Sequence, residues 1–402
     1  MKKNLGQVEL NRYNKSDVPL ILVTLALVAF GVLMVYSAGS YSGERIYGTK
    51  YYYVYKQLLG AGLGAAAMFL LSRTDYRILK KLRFVILAVS IVLLAIVFIP
   101  GVGIENYGAR RWINLPFFTI QASEIAKFGF IVFAAAYIGT REDRITSFKG
   151  ILPVVGVGGV ICFLIILEPN MSVTVCMAVL MIAMLFLGGA KIKHLLMIII
   201  PLVIAAVVLI LVEPYRFKRL MAFIDPWESP LEEGYQLIQS YYGLGAGGFF
   251  GVGLFNSRQK YLFLPFSESD FIFSVIGEEF GLFGCLLVMA AYIFMIRRAL
   301  KISLAASDRF GSLLASGIAA IIAIQVTVNI AVVTGSIPPT GLPLPFISSG
   351  SSGLIVFMSG IGVLNSIKRR SHASTAIMFE KPRKIKVKKN KSVKSKRRNT
   401  AA

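Results

Sequence analysis

Apolar runs of roughly 17–25 residues recur from one end of this 402-residue chain to the other. A run of that length crosses a bilayer as a helix, because only a helix satisfies its backbone polar groups internally where no water is present. The spacing predicts about ten spans, at roughly 18–38, 55–72, 83–100, 122–140, 150–167, 172–188, 194–213, 271–296, 312–334 and 344–366. The expected fold class is therefore an all-α polytopic membrane protein. Composition agrees: 56% of residues are hydrophobic and 16% charged, with a mean hydropathy of +0.71, too little charge for a soluble chain of this size. The first run, from about Pro19 to Tyr36, is too long for the core of a signal peptide. It also lacks a small-residue cleavage site, so it reads as a retained helix.

Charge placement orients the spans. Arg73, Arg77, Lys80, Lys81 and Arg83 follow the second run, Arg141, Arg144 and Lys149 the fourth, Lys191 and Lys193 the sixth, and Arg297, Arg298 and Lys301 the eighth. With the basic tail after the tenth, all fall on one face if both termini are cytoplasmic, as positive-inside bias requires. The expected organisation is a cytoplasmic N-terminus (1–17), a ten-helix membrane domain (18–366) and a basic disordered cytoplasmic tail (367–402). The domain includes a large extracytoplasmic loop (214–270) between helices 7 and 8. The formal charge of +23 lies mostly in that tail and in the short basic loops. That distribution suits topology and anionic lipid headgroups rather than nucleic acid. Cys162, Cys176 and Cys285 lie inside apolar runs without ligand spacing, and His194 and His372 are isolated, so neither residue type outlines a metal site.

The opposite face receives the motifs. Arg110 and Arg111, beside Trp112, run against the charge bias. Arginine binds phosphate bidentately and tryptophan prefers the interface, so the pair suits a phosphate-bearing lipid headgroup; an ion pair with Glu105 or another loop acid is the structural alternative. Glu124 and Lys127, three apart, share a helix face and either brace neighbouring helices or line a polar cavity. Glu168 is the unusual member of the turn Glu168-Pro169-Asn170. Gly243, Gly245 and Gly248 formally spell a dinucleotide-binding pattern, but no strand precedes them and the loop faces away from cytoplasmic nucleotides. A Pro/Gly/Ser-rich stretch, 338–353, enters the last span. Such backbone at membrane depth requires protein or a wet cavity to satisfy it.

Asp270 is the last charge before the eighth span, and Glu278 lies two turns further, about 12 Å deeper. Acids at such positions are functional candidates. For Asp270 the bland reading is a helix N-cap whose charge suits the dipole.

Taken together, GARRWI (108–113), SEIAK (123–127), GYQLIQS (234–240), NSRQK (256–260), DFIFSVIGEEFG (270–281) and TGLPLPFISSGSSG (340–353) resemble the SEDS (shape, elongation, division, sporulation) family. The order and spacing also match, over nearly the whole chain. The NSRQK version is more similar to the FtsW/SpoVE branch than to RodA. The resemblance implies a bacterial cytoplasmic-membrane peptidoglycan glycosyltransferase that polymerises lipid II, an undecaprenyl-pyrophosphate-linked disaccharide pentapeptide. It implies Asp270 as the catalytic base and places Glu124 and Lys127 in the cavity below it. Such chemistry needs a base and positive charge for the departing diphosphate. By electrostatics Arg110, Arg111 and Lys260 are the candidate diphosphate contacts, with Gln259 and Glu278 in the same substrate-binding set. No cofactor is required by this reading. A divalent cation, magnesium or manganese, is compatible with the chemistry, although the sequence shows no dedicated cage. The implied partner is a single-pass class B penicillin-binding protein, the transpeptidase, together with other divisome or sporulation membrane proteins and membrane lipids.

Several stretches depart from the family pattern. The usual HTDFIFA is here Ser267-Glu268-Ser269-Asp270, without the histidine. The usual PDxGT is Pro169-Asn170-Met171-Ser172-Val173, the QPSE stretch carries Ala122 for proline, and Ser349-Gly350-Ser351 replaces Tyr-Gly-Gly. Two other classes therefore stay open. A lipid II flippase would use the intramembrane Glu/Lys pair along a translocation path, although no repeated pair of broken helices is evident. A scaffold of the septal wall-synthesis complex would have weakened catalysis and retained its partners.

Overall fold

The first apolar run shows how the sequence sets its own boundaries. Asp17 accepts a hydrogen bond from the Leu20 N–H (3.1 Å) and Pro19 stands in the first turn, so the helix starts there; Gly48, at φ 73°, ends it. In the computed structural model, which describes residues 15–106, 109–114, 119–212 and 214–371, ten helices stand where the ten spans are expected. They are numbered α1 (Val18–Tyr47), α2 (Tyr52–Arg73), α3 (Arg83–Ile96), α4 (Ala122–Ile138), α5 (Phe148–Leu167), α6 (Met171–Leu187), α7 (Ile192–Val212), α8 (Ile272–Leu304), α9 (Arg309–Val333) and α10 (Ser351–Arg370). Seven of them, α1, α2, α5, α7, α8, α9 and α10, are long and apolar enough to cross a membrane; α3 and α6 are shorter apolar helices. The remaining one, α4, carries the Glu124–Lys127 pair. The chain is a multi-pass, all-α membrane protein.

The two ends of the bundle differ. At one end Asp17 donates its N–H to Asn365 Oδ1 (2.8 Å) and pairs with Arg298 (2.6 Å), while Arg77 pairs with Asp308 (3.1 Å) and Arg370 with Asp75 (3.6 Å). The start of α1 and the end of α10 thus meet, as an even number of spans requires. Helix α10 continues to Arg370, four residues past the expected boundary, and the tail from 372 onward lies outside the described residues. The other end, the site end, carries the segment between α7 and α8. There an amphipathic helix, Pro214–Ile224, leads to a second helix, Tyr235–Gly247.

Small residues let the central helices touch. Gly60 of α2 faces the Ser351 backbone and Gly64 faces Met358; a Cβ at either would come within 2.9 Å of its neighbour. This is how apolar helices gain packing in lipid, where burial alone drives little association. Helix α7 is largely exposed and packs at the rim. Between α3 and α4 the sequence suggests only a loop, whereas the structure forms a small antiparallel sheet: β1 (Gly103–Asn106), β2 (Ala109–Asn114) and β3 (Thr119–Gln121). Strands this short carry too little alternation to be read as strands. The register sets Ile113 opposite Ile120 and Trp112 opposite Gln121, tying the sheet to the N-cap residue of α4.

Helix α8 is broken. Gly281 takes φ 66° and ψ −166°, a conformation closed to side-chain-bearing residues. Residues 248–253 fill the gap: Val252 and Gly253 donate to the Glu278 and Glu279 carbonyls (2.9 and 3.0 Å), while Leu282 and Phe283 donate to the Gly248 and Phe249 carbonyls (2.9 and 3.1 Å). Segment 248–253 is therefore a splint across a helix break, and Gly248, Gly251 and Gly253 supply the positive φ it needs; Gly243 and Gly245 lie in the preceding helix, Tyr235–Gly247. A Cβ at Gly281 would lie 2.5 Å from the Gly251 nitrogen. Gly281→Ala is expected to cost at least about 1–3 kcal/mol from backbone strain alone, and the clash adds to it. The readout is a lower melting temperature in detergent.

Candidate active site

Asp270 sits in the turn that feeds α8, but it does not cap that helix. The helix starts at Ile272, its N-cap is Phe271, and no side chain caps it. What holds the turn is the Pro/Gly/Ser-rich segment before α10. Asn329 Nδ2 donates to both the Asp270 carbonyl (2.7 Å) and the Leu342 carbonyl (2.8 Å). Ser348 Oγ donates to the Ser269 carbonyl (2.6 Å), and the Ser349 N–H to the Glu268 carbonyl (2.9 Å). Gly341 leaves room for the carboxylate, since a Cβ there would lie 3.2 Å from Asp270 Oδ2. The non-helical segment is itself satisfied by protein: Gln57 Nε2 donates to the Ser348 carbonyl (3.1 Å) and Leu344 N–H to Ser348 Oγ (2.8 Å).

Burial pushes the Asp270 carboxyl up to about 7, and the nearby Glu268 pushes the same way; Ser269, Arg111 and Arg219 pull against it. Glu268 is buried too and is itself raised by desolvation, with Tyr53 of α2 hydrogen-bonded to its carboxyl. A carboxyl poised near neutrality in a polar turn has the profile of a general base.

Of the two arginines, Arg111 is tied to the α5–α6 turn, donating Nε to the Glu168 carbonyl (3.3 Å) and Nη2 to the Pro169 carbonyl (2.5 Å). It lies within electrostatic reach of both Glu168 and Asp270. Burial pushes the Glu168 carboxyl up to about 8 against the pull of Arg111. Arg110, next to it on β2, is opposite Glu105 in the β1–β2 register. Asn170, where the family pattern has an acid, caps α6 by accepting from the Val173 N–H (3.4 Å).

Glu124 and Lys127 form a buried pair, Nζ to Oε1 at 2.6 Å, with both side chains 2% exposed. The pair lies at the head of α10, where Gln121 N–H donates to Ser352 Oγ (3.2 Å) and a Cβ on Gly353 would come within 4.0 Å of Glu124.

Lys260, Gln259 and Glu278 are placed differently from the direct substrate contacts expected of them. Lys260 is buried and neutralised by Glu279 (3.1 Å), with Ser37 Oγ of α1 also in reach (3.2 Å). Glu278 accepts from Ser257 Oγ, from Arg258 N–H (2.8 Å) and from Gln259 N–H (3.3 Å). Both carboxylates of the half-helix before the break thus grip the 257–260 loop, because a buried carboxylate needs donors and this loop supplies them. In this arrangement these residues hold the loop against the half-helix of Asp270.

Residues that sequence reasoning passed over include Glu268, Glu279, Arg219, Asn329 and Gln325. The last two had a signal: they are side-chain amides four apart inside an apolar run, which marks one polar helix face. Among the described residues no three His, Cys, Asp or Glu side chains gather in a way that would hold a metal ion.

The family profile described as "Cell cycle protein", covering FtsW, RodA and SpoVE, matches residues 18–373. The chain is 39% identical over 356 residues to stage V sporulation protein E of Bacillus subtilis, covering 88% of this chain and 97% of that one. It is 39% identical over 360 residues to the probable peptidoglycan glycosyltransferase FtsW of Trichlorobacter lovleyi, covering 89% and 94%. Its fold is similar to a chain solved in work on "structural coordination of polymerization and crosslinking by a peptidoglycan synthase complex" (TM-score 0.74, 29% identity, 89% and 99% covered). It is also similar to the rod shape determining protein RodA of Thermus thermophilus (TM-score 0.64, 26% identity, 90% and 99% covered). With the profile spanning all ten helices and the relatives aligned over nearly their full lengths, the chain belongs to the FtsW/RodA/SpoVE family of cell cycle proteins.

Proposed function

We propose that this chain is a peptidoglycan glycosyltransferase that polymerises lipid II at the outer face of the bacterial cytoplasmic membrane, in division or sporulation. The observation that carries the reading is Asp270: a half-buried carboxyl, engaged in no helix cap, held near neutrality in a turn that Asn329 and Ser348 pin to the segment before α10. The name of the Trichlorobacter lovleyi relative, a probable peptidoglycan glycosyltransferase, points to the same reaction.

In the proposed step ionised Asp270 takes the proton of the acceptor sugar's 4-hydroxyl as that oxygen attacks the anomeric carbon of the growing strand. The new C–O bond forms, the bond from that carbon to the lipid diphosphate breaks, and the diphosphate leaves with the electron pair. Arg111 and Arg219, both within electrostatic reach of Asp270, supply positive charge where the departing diphosphate develops negative charge; Arg110 is adjacent on β2. Glu124 and Lys127 form the polar floor, and Lys260, Gln259 and Glu278 keep the half-helix and its loop in register. The site end faces outward, both termini are cytoplasmic, and a class B penicillin-binding protein cross-links the product, with further division or sporulation membrane proteins in the complex.

A flippase built on alternating access would be expected to pair broken helices in its two halves. Among the described residues only α8 carries non-helical backbone within it, and residues 248–253 close that break. The test is to supply purified protein with lipid II, alone and with candidate class B partners, and to resolve products on a gel. Glycan strands are expected in at least one combination. Their absence from all, alongside lipid II transport by the same protein in vesicles, overturns the reading.

A further inference from the structure

Below Asp270 lies a set of buried polar atoms that the proposed step does not use. Gln325 and Asn329 are one turn apart on α9, and 0% and 1% exposed. Asn329 spends its amide N–H groups on the Asp270 and Leu342 carbonyls, leaving Oδ1 without a hydrogen-bond partner among the described residues. Gln325 has neither its oxygen nor its nitrogen partnered there. On α4, Ser123 Oγ and Glu124 Oε2 are in the same condition.

Gln325, Ser123 and Glu124 are at one depth, with Asn329 one turn nearer the site end. Gly360 of α10 packs beside Phe128 of α4 and Ile318 of α9, while Gly353, seven residues back along α10, lies next to Glu124. Seven residues from Ile318 along the antiparallel α9 is Gln325, so both steps rise about 10 Å toward the site end. Gly317 of α9 packs on Ile131 of α4, and eight residues along each helix lead to Gln325 and Ser123. Buried amides and carboxylates are rarely left unpaired in native proteins, and a polar site with several convergent groups holds water.

We propose that Asn329 and Gln325 are positioning residues for Asp270. Asn329 fixes the backbone from which the carboxylate projects, and Gln325, through bound water, continues the hydrogen bonding inward to the Glu124–Lys127 pair. The inference rests on the polymerase reading. The charged groups facing Asp270 are Glu268 from its own turn, Arg111 from β2 and Arg219 from helix 214–224; Lys127 faces Glu124. Gln325 adds no charge to this set, so its effect on the base is exerted through orientation and hydration.

The test compares Gln325→Leu, Gln325→Asn and Asn329→Asp with wild type in lipid II polymerisation across pH. Gln325→Leu keeps the volume and removes both unpartnered atoms, so the protein folds with an equal or higher melting temperature. The expected result is a kcat lower by about tenfold, the worth of one strong hydrogen bond. KM stays unchanged and the acidic limb of the pH profile is displaced, with partial recovery in Gln325→Asn. Asn329→Asp, which loses the N–H donors while keeping the shape, is expected to lose more. If Gln325→Leu and Asn329→Asp retain wild-type kcat and pH limb while Asp270→Asn is inactive, this inference alone falls. If Asp270→Asn polymerises as well as wild type, the base assignment falls and takes the inference with it.

Discussion

Asp270→Asn is expected to abolish lipid II polymerisation, by about 10²–10⁴-fold, the usual contribution of a general base. The substitution keeps size and hydrogen-bonding shape, and the residue caps no helix, so no helix end is lost with it. The sign of its pH dependence follows from burial. The Asp270 carboxyl is raised from 3.8 to about 7, so below that value it is protonated and idle, and wild-type activity should rise with pH through about 7. The stability effect runs the other way. A raised carboxyl contributes stability that is fully present below 3.8 and lost as pH rises through about 7. At pH 8 the asparagine variant is therefore expected to melt at the same temperature as wild type or above it. Inactivity in a protein that melts normally assigns the base. Equal product from both proteins removes Asp270 from the chemistry.

The second large effect concerns the buried pair on α4. Lys127→Met leaves the Glu124 carboxylate without its 2.6 Å partner in a site where both side chains are 2% exposed. Removing one member of a buried pair costs about 3–5 kcal/mol, because the other charge stays desolvated. The readout is thermal unfolding in detergent. Combining Lys127→Met with Glu124→Gln removes the stranded charge, so the double variant is expected to recover most of the melting temperature. Activity separates brace from cavity floor: a stable double variant that still polymerises means the pair only braces the helices. One that is stable yet inactive means the pair belongs to the site. A double variant no more stable than Lys127→Met would show that the two residues do not act as a pair.

Much of this protein was legible along the chain. The ten helices follow from runs of apolar length, since a bilayer leaves backbone groups no partner but their own helix. Charge bias predicts which end faces outward, and Asp270, Arg111 and the Glu124–Lys127 pair stand out along the chain because charge in or near lipid is costly. The sequence also showed that Glu124 and Lys127 share a face, since spacing of three on a helix guarantees it.

What spacing alone does not reach is which distant segments satisfy one another. Glu278 looked like an intramembrane acid open to substrate, yet folding hands its carboxylate to Ser257, Arg258 and Gln259 about twenty residues earlier in the chain. Lys260 looked like a phosphate ligand until Glu279 and Ser37 of α1 enclosed it. Segment 248–253 acquired its purpose only when the break at Gly281 offered two carbonyls and two N–H groups to fill. Sequence determines span count and the identity of the costly charges because lipid acts on every residue locally. Only the tertiary structure decides which of those charges meet a partner, because hydrogen bonds and ion pairs depend on a few tenths of an ångström between segments far apart in the chain.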